Sequence, residues 1–177
     1  MNLQSNDFEL FDISPQFAQD RAAIDARWKD LQREAHPDKF AAQGAAAQRI
    51  AMQWSVRINE AYQRLKDPLK RAAYLCELNG APVNAENNTA MPSAFLMQQM
   101  EWREALDDAQ SSPDLEAISA EVAAARKDVL QKCGTLLDEN KDFSGAVQQV
   151  RALMFIERFA HDVDARLDQM DTADRGQ

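Results

Sequence analysis

Two histidines, His36 and His161, and two cysteines, Cys76 and Cys133, are the side chains in this 177-residue chain best suited to nucleophilic, acid–base or metal chemistry. Nucleophilic catalysis needs a base against Ser, Cys or Thr and a third group to orient it. His161 lies deep in a helical pattern beside Asp162 and Asp164 and reads as a surface residue. Cys76 and Cys133 are 57 positions apart, which makes neither a disulfide framework nor a zinc set. Cys133 falls on the stripe Leu115, Ile118, Val122, Ala125, Val129, Leu136 and reads as a small buried apolar residue. Five scattered glycines make no phosphate-cradling loop. Neither an enzyme nor a resident metal or cofactor is expected. What remains is His36-Pro37-Asp38. Proline pushes the residue before it out of the α region, so a helix stops here and two polar side chains are held outward. This rigid polar turn is the first sharp signal in the chain. An ordinary helix stop beside a solvated charged face would look the same.

The elements around it are helical. Thirty alanines against five glycines and six prolines leave few breakers, which excludes sandwiches, barrels and doubly wound sheets. A short apolar segment, 3–11, opens the chain. Asp20 is placed to cap a helix to Ala35 with Ile24, Trp28, Leu31 and Ala35 at helical spacing. At about 100° per residue, Lys29 and Arg33 lie about 100° and 140° from Trp28, together on the far side. A third helix follows Gly44 to Lys66 with the stripe Ala47, Ile50, Ala51, Trp54, Ile58, Ala61, Tyr62, Leu65, and a short one covers 69–78. Asn79-Gly80 is a stop signal, and 81–92, with Asn84, Asn87, Asn88 and Thr89, reads as a tether. Ser93 should cap a helix over 94–110. Ser112-Pro113-Asp114 starts one reaching Asn140, and Asp142 or Ser144 opens the last, to Met170. Short connections make these three an antiparallel bundle. The expected organisation is an N-terminal module over 1–78, a linker over 79–92, the bundle over 93–171 and a frayed tail over 172–177.

Charge narrows the partners. The net charge is −9, with +1 in residues 1–76 and −10 in 77–177. Phosphate contacts dominate nucleic-acid affinity, so neither nucleic acid nor an anionic membrane is an expected partner. No run approaches about 18 apolar residues and the start is neither basic nor apolar. A cytoplasmic, monomeric protein is expected.

The run Trp28-Lys29-Asp30-Leu31-Gln32-Arg33-Glu34-Ala35-His36-Pro37-Asp38-Lys39-Phe40 resembles a J-domain. So does Ile58-Asn59-Glu60-Ala61-Tyr62-Gln63-Arg64-Leu65-Lys66-Asp67-Pro68, followed by Arg71 and Tyr74. With Phe8-Glu9-Leu10-Phe11 at the start and Ala94-Phe95-Leu96-Met97 opening the bundle, nearly the whole chain is similar to the HscB family. Those are the J-protein co-chaperones of bacterial iron–sulfur cluster assembly. The resemblance implies an all-α fold: a J-domain, built as a helical hairpin with short flanking helices, plus a C-terminal antiparallel three-helix bundle. It implies stimulation of a DnaK-type (heat-shock-70 family, HscA-like) ATPase chaperone through His36, Pro37, Asp38, Lys29, Arg33 and Lys39. It also implies delivery of an IscU-type iron–sulfur scaffold protein bound to the bundle.

The bundle has a surplus apolar face on its own evidence. Relative to Leu96, the residues Phe95, Trp102, Leu106 and Ala109 lie between about −80° and −140°, which is one core face. Leu96, Met100 and Met97 lie at about 0°, 40° and 100°, rimmed by Glu104, Asp108 and Glu101 at about 80°, 120° and 140°. On the last helix the core stripe is Ala146, Val150, Leu153, Ile156, Ala160, Val163, Leu167. Phe155 points about 160° away from Leu153. Methionines adapt and an isolated aromatic anchors, so Leu96, Met97, Met100, Glu101, Glu104, Asp108 and Phe155 suit a client surface. Packing against the N-terminal module or the linker is the alternative. Other functions left open are a J-protein with a different client, a structural helical adaptor, and a helix-turn-helix nucleic-acid binder.

Overall fold

The computed structural model describes residues 2–84 and 91–176, and every regular element among them is helical. The α-helices are α1 (Asp7–Phe11), α2 (Arg21–Ala35), α3 (Ala45–Lys66), α4 (Pro68–Leu78), α5 (Ser93–Asp108), α6 (Ser112–Gly134) and α7 (Phe143–Arg175). A 3₁₀ segment, Pro37–Gln43, follows α2, and a π-helical turn, Thr135–Glu139, follows α6. The chain divides into two compact units, Met1–Leu75 and Cys76–Gln177.

In the first unit, the Asp20 carboxylate accepts from Ala22 N at 3.0 Å and starts α2 as expected. Helices α2 and α3 form an antiparallel hairpin, shown by side-chain rungs along one flank. As the α2 residue rises through 21, 25, 28 and 32, its α3 partner falls through 66, 62, 59 and 55. The hairpin core is Ile24, Leu31, Ala51, Ile58, Ala61 and Leu65, all buried. Ile50 departs from the expected stripe and is 55% exposed. Helix α3 has 22 residues against 15 in α2, so its first turns run past the end of its partner. Gly44 sits at φ +99°, a conformation that L side chains avoid, where the 3₁₀ segment hands over to α3.

Helix α1 is bolted on by a buried charge. Asp7 is fully buried, and its two carboxylate oxygens accept from Arg64 Nε at 2.6 Å and Nη2 at 2.9 Å. Arg57 Nη1 lies 2.8 Å away. Asp7 N donates to the Tyr74 hydroxyl at 3.0 Å, while Arg64 lies over the Tyr74 ring. The Asp7 carboxylate is also the first reason the Arg64 guanidinium titrates above its ordinary range.

In the second unit, α5 meets α7 at Phe95–Phe155, Trp102–Phe159 and Ala109–Arg166. Both numbers rise together, so α5 and α7 run the same way, as in an up-down-up bundle. Its core includes Leu115, Val122, Cys133, Val150, Leu153, Ile156 and Val163. Several local expectations are corrected here. Helix α6 does open at Ser112-Pro113-Asp114, and its cap, Ser111, accepts from Asp114 N at 3.3 Å. Pro92 stands at the α5 cap with no side-chain bond, and Ser93 is already helical. Leu137, rather than Leu136, is buried after the π-helical turn, which ends α6 earlier than Asn140 and shifts its register. The expected frayed tail is helical through Arg175. Asp142 is the α7 cap, accepting from Gly145 N at 2.9 Å.

The expected tether over 81–92 falls partly on 85–90, outside the described residues. At one side of it, Arg151 on α7 donates to the Val83 carbonyl from Nε at 3.1 Å and Nη2 at 2.8 Å. At the other, Gln99 Nε2 lies 3.2 Å from Met91 Sδ.

Candidate functional site

The His-Pro-Asp turn is built by one ring nitrogen. His36 leaves the α region (φ −62°, ψ 128°), as a residue before proline should. Pro37 then takes the first 3₁₀ position, where a missing N–H costs nothing. His36 Nδ1 accepts from Asp38 N at 3.2 Å and caps the segment. A nitrogen that accepts carries no proton, so the neutral ring bears its proton on Nε2. The side chain is 57% exposed, and that Nε2–H is available as a donor to a partner. The Asp38 carboxylate is 92% exposed, with Oδ2 3.6 Å from Nδ1. One ring thus shapes the turn and supplies a donor, beside a carboxylate fit for a charge-assisted bond to a partner's guanidinium.

Lys29, Arg33 and Lys39 are exposed. Arg33 lies 3.4 Å from Asp30 Oδ1 on its own helix, a solvent-facing pair worth little. If these cations steer docking, Lys29→Ala and Arg33→Ala should each slow association several-fold at low salt, and the loss should shrink as salt rises. Stopped-flow association at two ionic strengths checks this.

On α5, Leu96, Met97 and Met100 are 45%, 66% and 73% exposed, and Glu101, Glu104 and Asp108 are exposed beside them. Trp102, on the opposite face, is buried against Phe159, their rings stacked at 5.6 Å. The sequence placed Phe155 by itself on the far side of α7, and the structure corrects this. Phe155 is half-buried, stacks on Phe159 at 5.8 Å, meets Phe95 edge-on at 5.8 Å, and lies under the Arg103 guanidinium. It supports α5 as well as bordering its exposed face.

Both thiols are buried. Burial pushes the Cys76 thiol up to about 11 and the Cys133 thiol up to about 12, so neither supplies a thiolate near neutral pH. Among the described residues, no three His, Cys, Asp or Glu side chains gather as a metal site.

Over 175 residues the chain is 50% identical to the co-chaperone protein HscB homolog of Burkholderia multivorans, covering 97% of this chain and 99% of that protein. It belongs to the HscB family of co-chaperones. A second relative, the co-chaperone protein HscB homolog of Burkholderia cenocepacia, is 49% identical over the same share of both chains. Residues 91–164 match the family model described as the HSCB C-terminal oligomerisation domain. Among solved structures, chaperone HscB from Vibrio cholerae superposes with a TM-score of 0.81 at 34% identity, covering 94% of this chain and 99% of that one. Human co-chaperone protein HscB gives 0.87 at 26% identity, with 94% and 84% covered. The all-α architecture is therefore that of HscB structures, and the HscB family is non-enzymatic. Of the seam Trp28, Gln32, Ser55 and Asn59 near the turn, sequence singled out only Trp28, and as an apolar stripe residue rather than as a hydrogen-bond donor. The seam's trace in sequence is polar residues at helical spacing on both helices.

Proposed function

We propose that this HscB-family chain stimulates the ATPase of a DnaK-type, HscA-like chaperone through the His36 turn and brings to it an IscU-type scaffold carried on α5. The observation that supports this best is the turn itself. An exposed ring donor and an exposed carboxylate stand at the end of α2, with Lys29 and Arg33 exposed on the helix leading into them. The N-terminal module would dock the chaperone and the bundle would hold the client. No described helix is long and apolar enough to cross a membrane, which is compatible with the cytoplasm as its place of action. Single-turnover ATP hydrolysis by such a chaperone, with and without this protein and the scaffold, tests the proposal. Each should accelerate hydrolysis and the two together should exceed either alone. No acceleration by this protein would sink it. Sedimentation of the protein alone would decide between the monomer expected from sequence and the self-association that the family domain's description names.

The client face has its own test. Met100→Ala should leave the melt nearly unchanged, because the side chain is largely in solvent, yet weaken scaffold binding. An anchor is worth about 2 kcal/mol, or roughly thirtyfold in Kd. Trp102→Ala should instead destabilise the bundle by about 3–5 kcal/mol. Titration and melting of both variants would separate recognition from packing. Strong destabilisation by Met100→Ala, or undiminished binding, would refute the assignment. Phe155→Ala is a poorer probe, since its contacts with Phe95 and Phe159 link it to both roles.

A further inference from the structure

The flank of the α2–α3 hairpin is laced by side chains from end to end. Arg21 Nη1 lies 3.4 Å from the Lys66 carbonyl, and the Tyr62 hydroxyl donates to Asp25 at 2.7 Å. Tyr62, then Arg21, hold the Asp25 carboxyl below the usual carboxylate range. Nearer the turn, the Asn59 Oδ1 accepts two bonds from α2, from Trp28 Nε1 at 2.9 Å and Gln32 Nε2 at 2.7 Å. Gln32 Nε2 also donates to the Ser55 carbonyl at 3.2 Å, and the Ser55 hydroxyl donates to Gln32 Oε1 at 2.9 Å. The Trp28 ring stacks on Tyr62 at 4.7 Å.

The apolar core of the hairpin holds the helices together but is non-directional, so it resists separation better than rotation. Hydrogen bonds at these lengths have narrow angular tolerance. Trp28 and Gln32 each immediately precede a cation, Lys29 and Arg33, so whatever fixes the first pair about the helix axis fixes the second. A helix is about 10–12 Å across with its side chains, so a 20° roll would displace the cations by about 2 Å. That is enough to break the register of charge pairs with a partner.

We propose that Asn59 is a positioning residue for chaperone docking. By accepting from both Trp28 and Gln32, it locks the rotation of α2 and so aims Lys29 and Arg33 alongside the His36 turn. This rests on the chaperone-docking reading above. The chemistry required of Asn59 is a doubly accepting oxygen, which Asp also supplies and Leu does not.

The test is ATPase stimulation titrated against full-length wild type, Asn59→Leu and Asn59→Asp, with scaffold binding measured on the same samples. Asn59→Leu should raise the concentration for half-maximal stimulation about tenfold with the maximum nearly reached. Scaffold binding should stay unchanged, and Asn59→Asp should restore most of the loss. Trp28→Phe, which keeps the ring and deletes its N–H, should give a smaller shift in the same direction, and serves if Asn59→Leu does not fold. Unchanged stimulation by Asn59→Leu or, if that variant does not fold, by Trp28→Phe, or an Asn59→Asp variant as impaired as Asn59→Leu, would overturn the positioning role while leaving docking intact. Failure of the wild type to stimulate would overturn both.

Discussion

With His36 replaced by Gln, chaperone ATP hydrolysis should fall to its unstimulated rate while the melt moves by no more than about 2 °C. The second half follows from exposure. The ring lies outside the core, so what is lost is the cap of one short 3₁₀ segment, about 0.5 kcal/mol at the low end of such losses, and about 1 kcal/mol moves a chain of this size by a few degrees. The first half follows from the ring's two tasks. Its Nδ1 accepts from Asp38 N, and its Nε2–H faces outward. Glutamine keeps a donor at a similar reach but loses the cap, so the donor is no longer fixed relative to Asp38. Asparagine is the complementary variant, because its short side chain caps well but presents no donor at the Nε2 position. Both should fail in single-turnover assays. Stimulation by either variant at the wild-type level would mean that the turn has a structural role only.

Asp7→Ala should destabilise the first unit about as much as truncating a large core side chain. Removing one partner of a buried ion pair costs about 3–5 kcal/mol, because the remaining charge is stranded. Arg57 and Arg64 retain 17% and 41% of their side-chain exposure and are able to turn partly toward water, which puts the expected loss nearer to 3 than to 5 kcal/mol. Unfolding in urea, read through the first unit's tryptophans Trp28 and Trp54, measures it. Replacing Asp7 and Arg64 together by Leu and Met should recover part of the loss, since no charge is then stranded opposite a missing partner at Arg64. A melt of Asp7→Ala indistinguishable from wild type would show that the buried contacts contribute nothing net.

What could be read from sequence was what one segment decides alone. The Asp20 cap, the stop at His36-Pro37, the stripe around Ile58 and the burial of Cys133 depend on neighbours within a few turns. Asp7 escaped because its partners lie 50 and 57 positions away, and a lone acid near a chain start resembles any solvated residue. Phe155 was placed by angle on its own helix, which says nothing of Phe95 reaching across from α5. Ile50 was assigned to the core because its spacing is right, but spacing does not give the register of α3 on α2, which leaves the first turns of α3 beyond Ala35. The Asn59 seam was invisible for a related reason. Polar residues at helical intervals look solvent-facing until a second helix supplies their partners.

The clasp of Arg151 on the Val83 carbonyl makes a residue beyond the end of α4 a fixture of the last helix. Nε and Nη2 of one planar guanidinium converge on a single acceptor 68 positions upstream, within the same unit. A lysine at position 151 would keep the charge as a point donor but not the fork. It would hold Val83 by one bond where the arginine uses two.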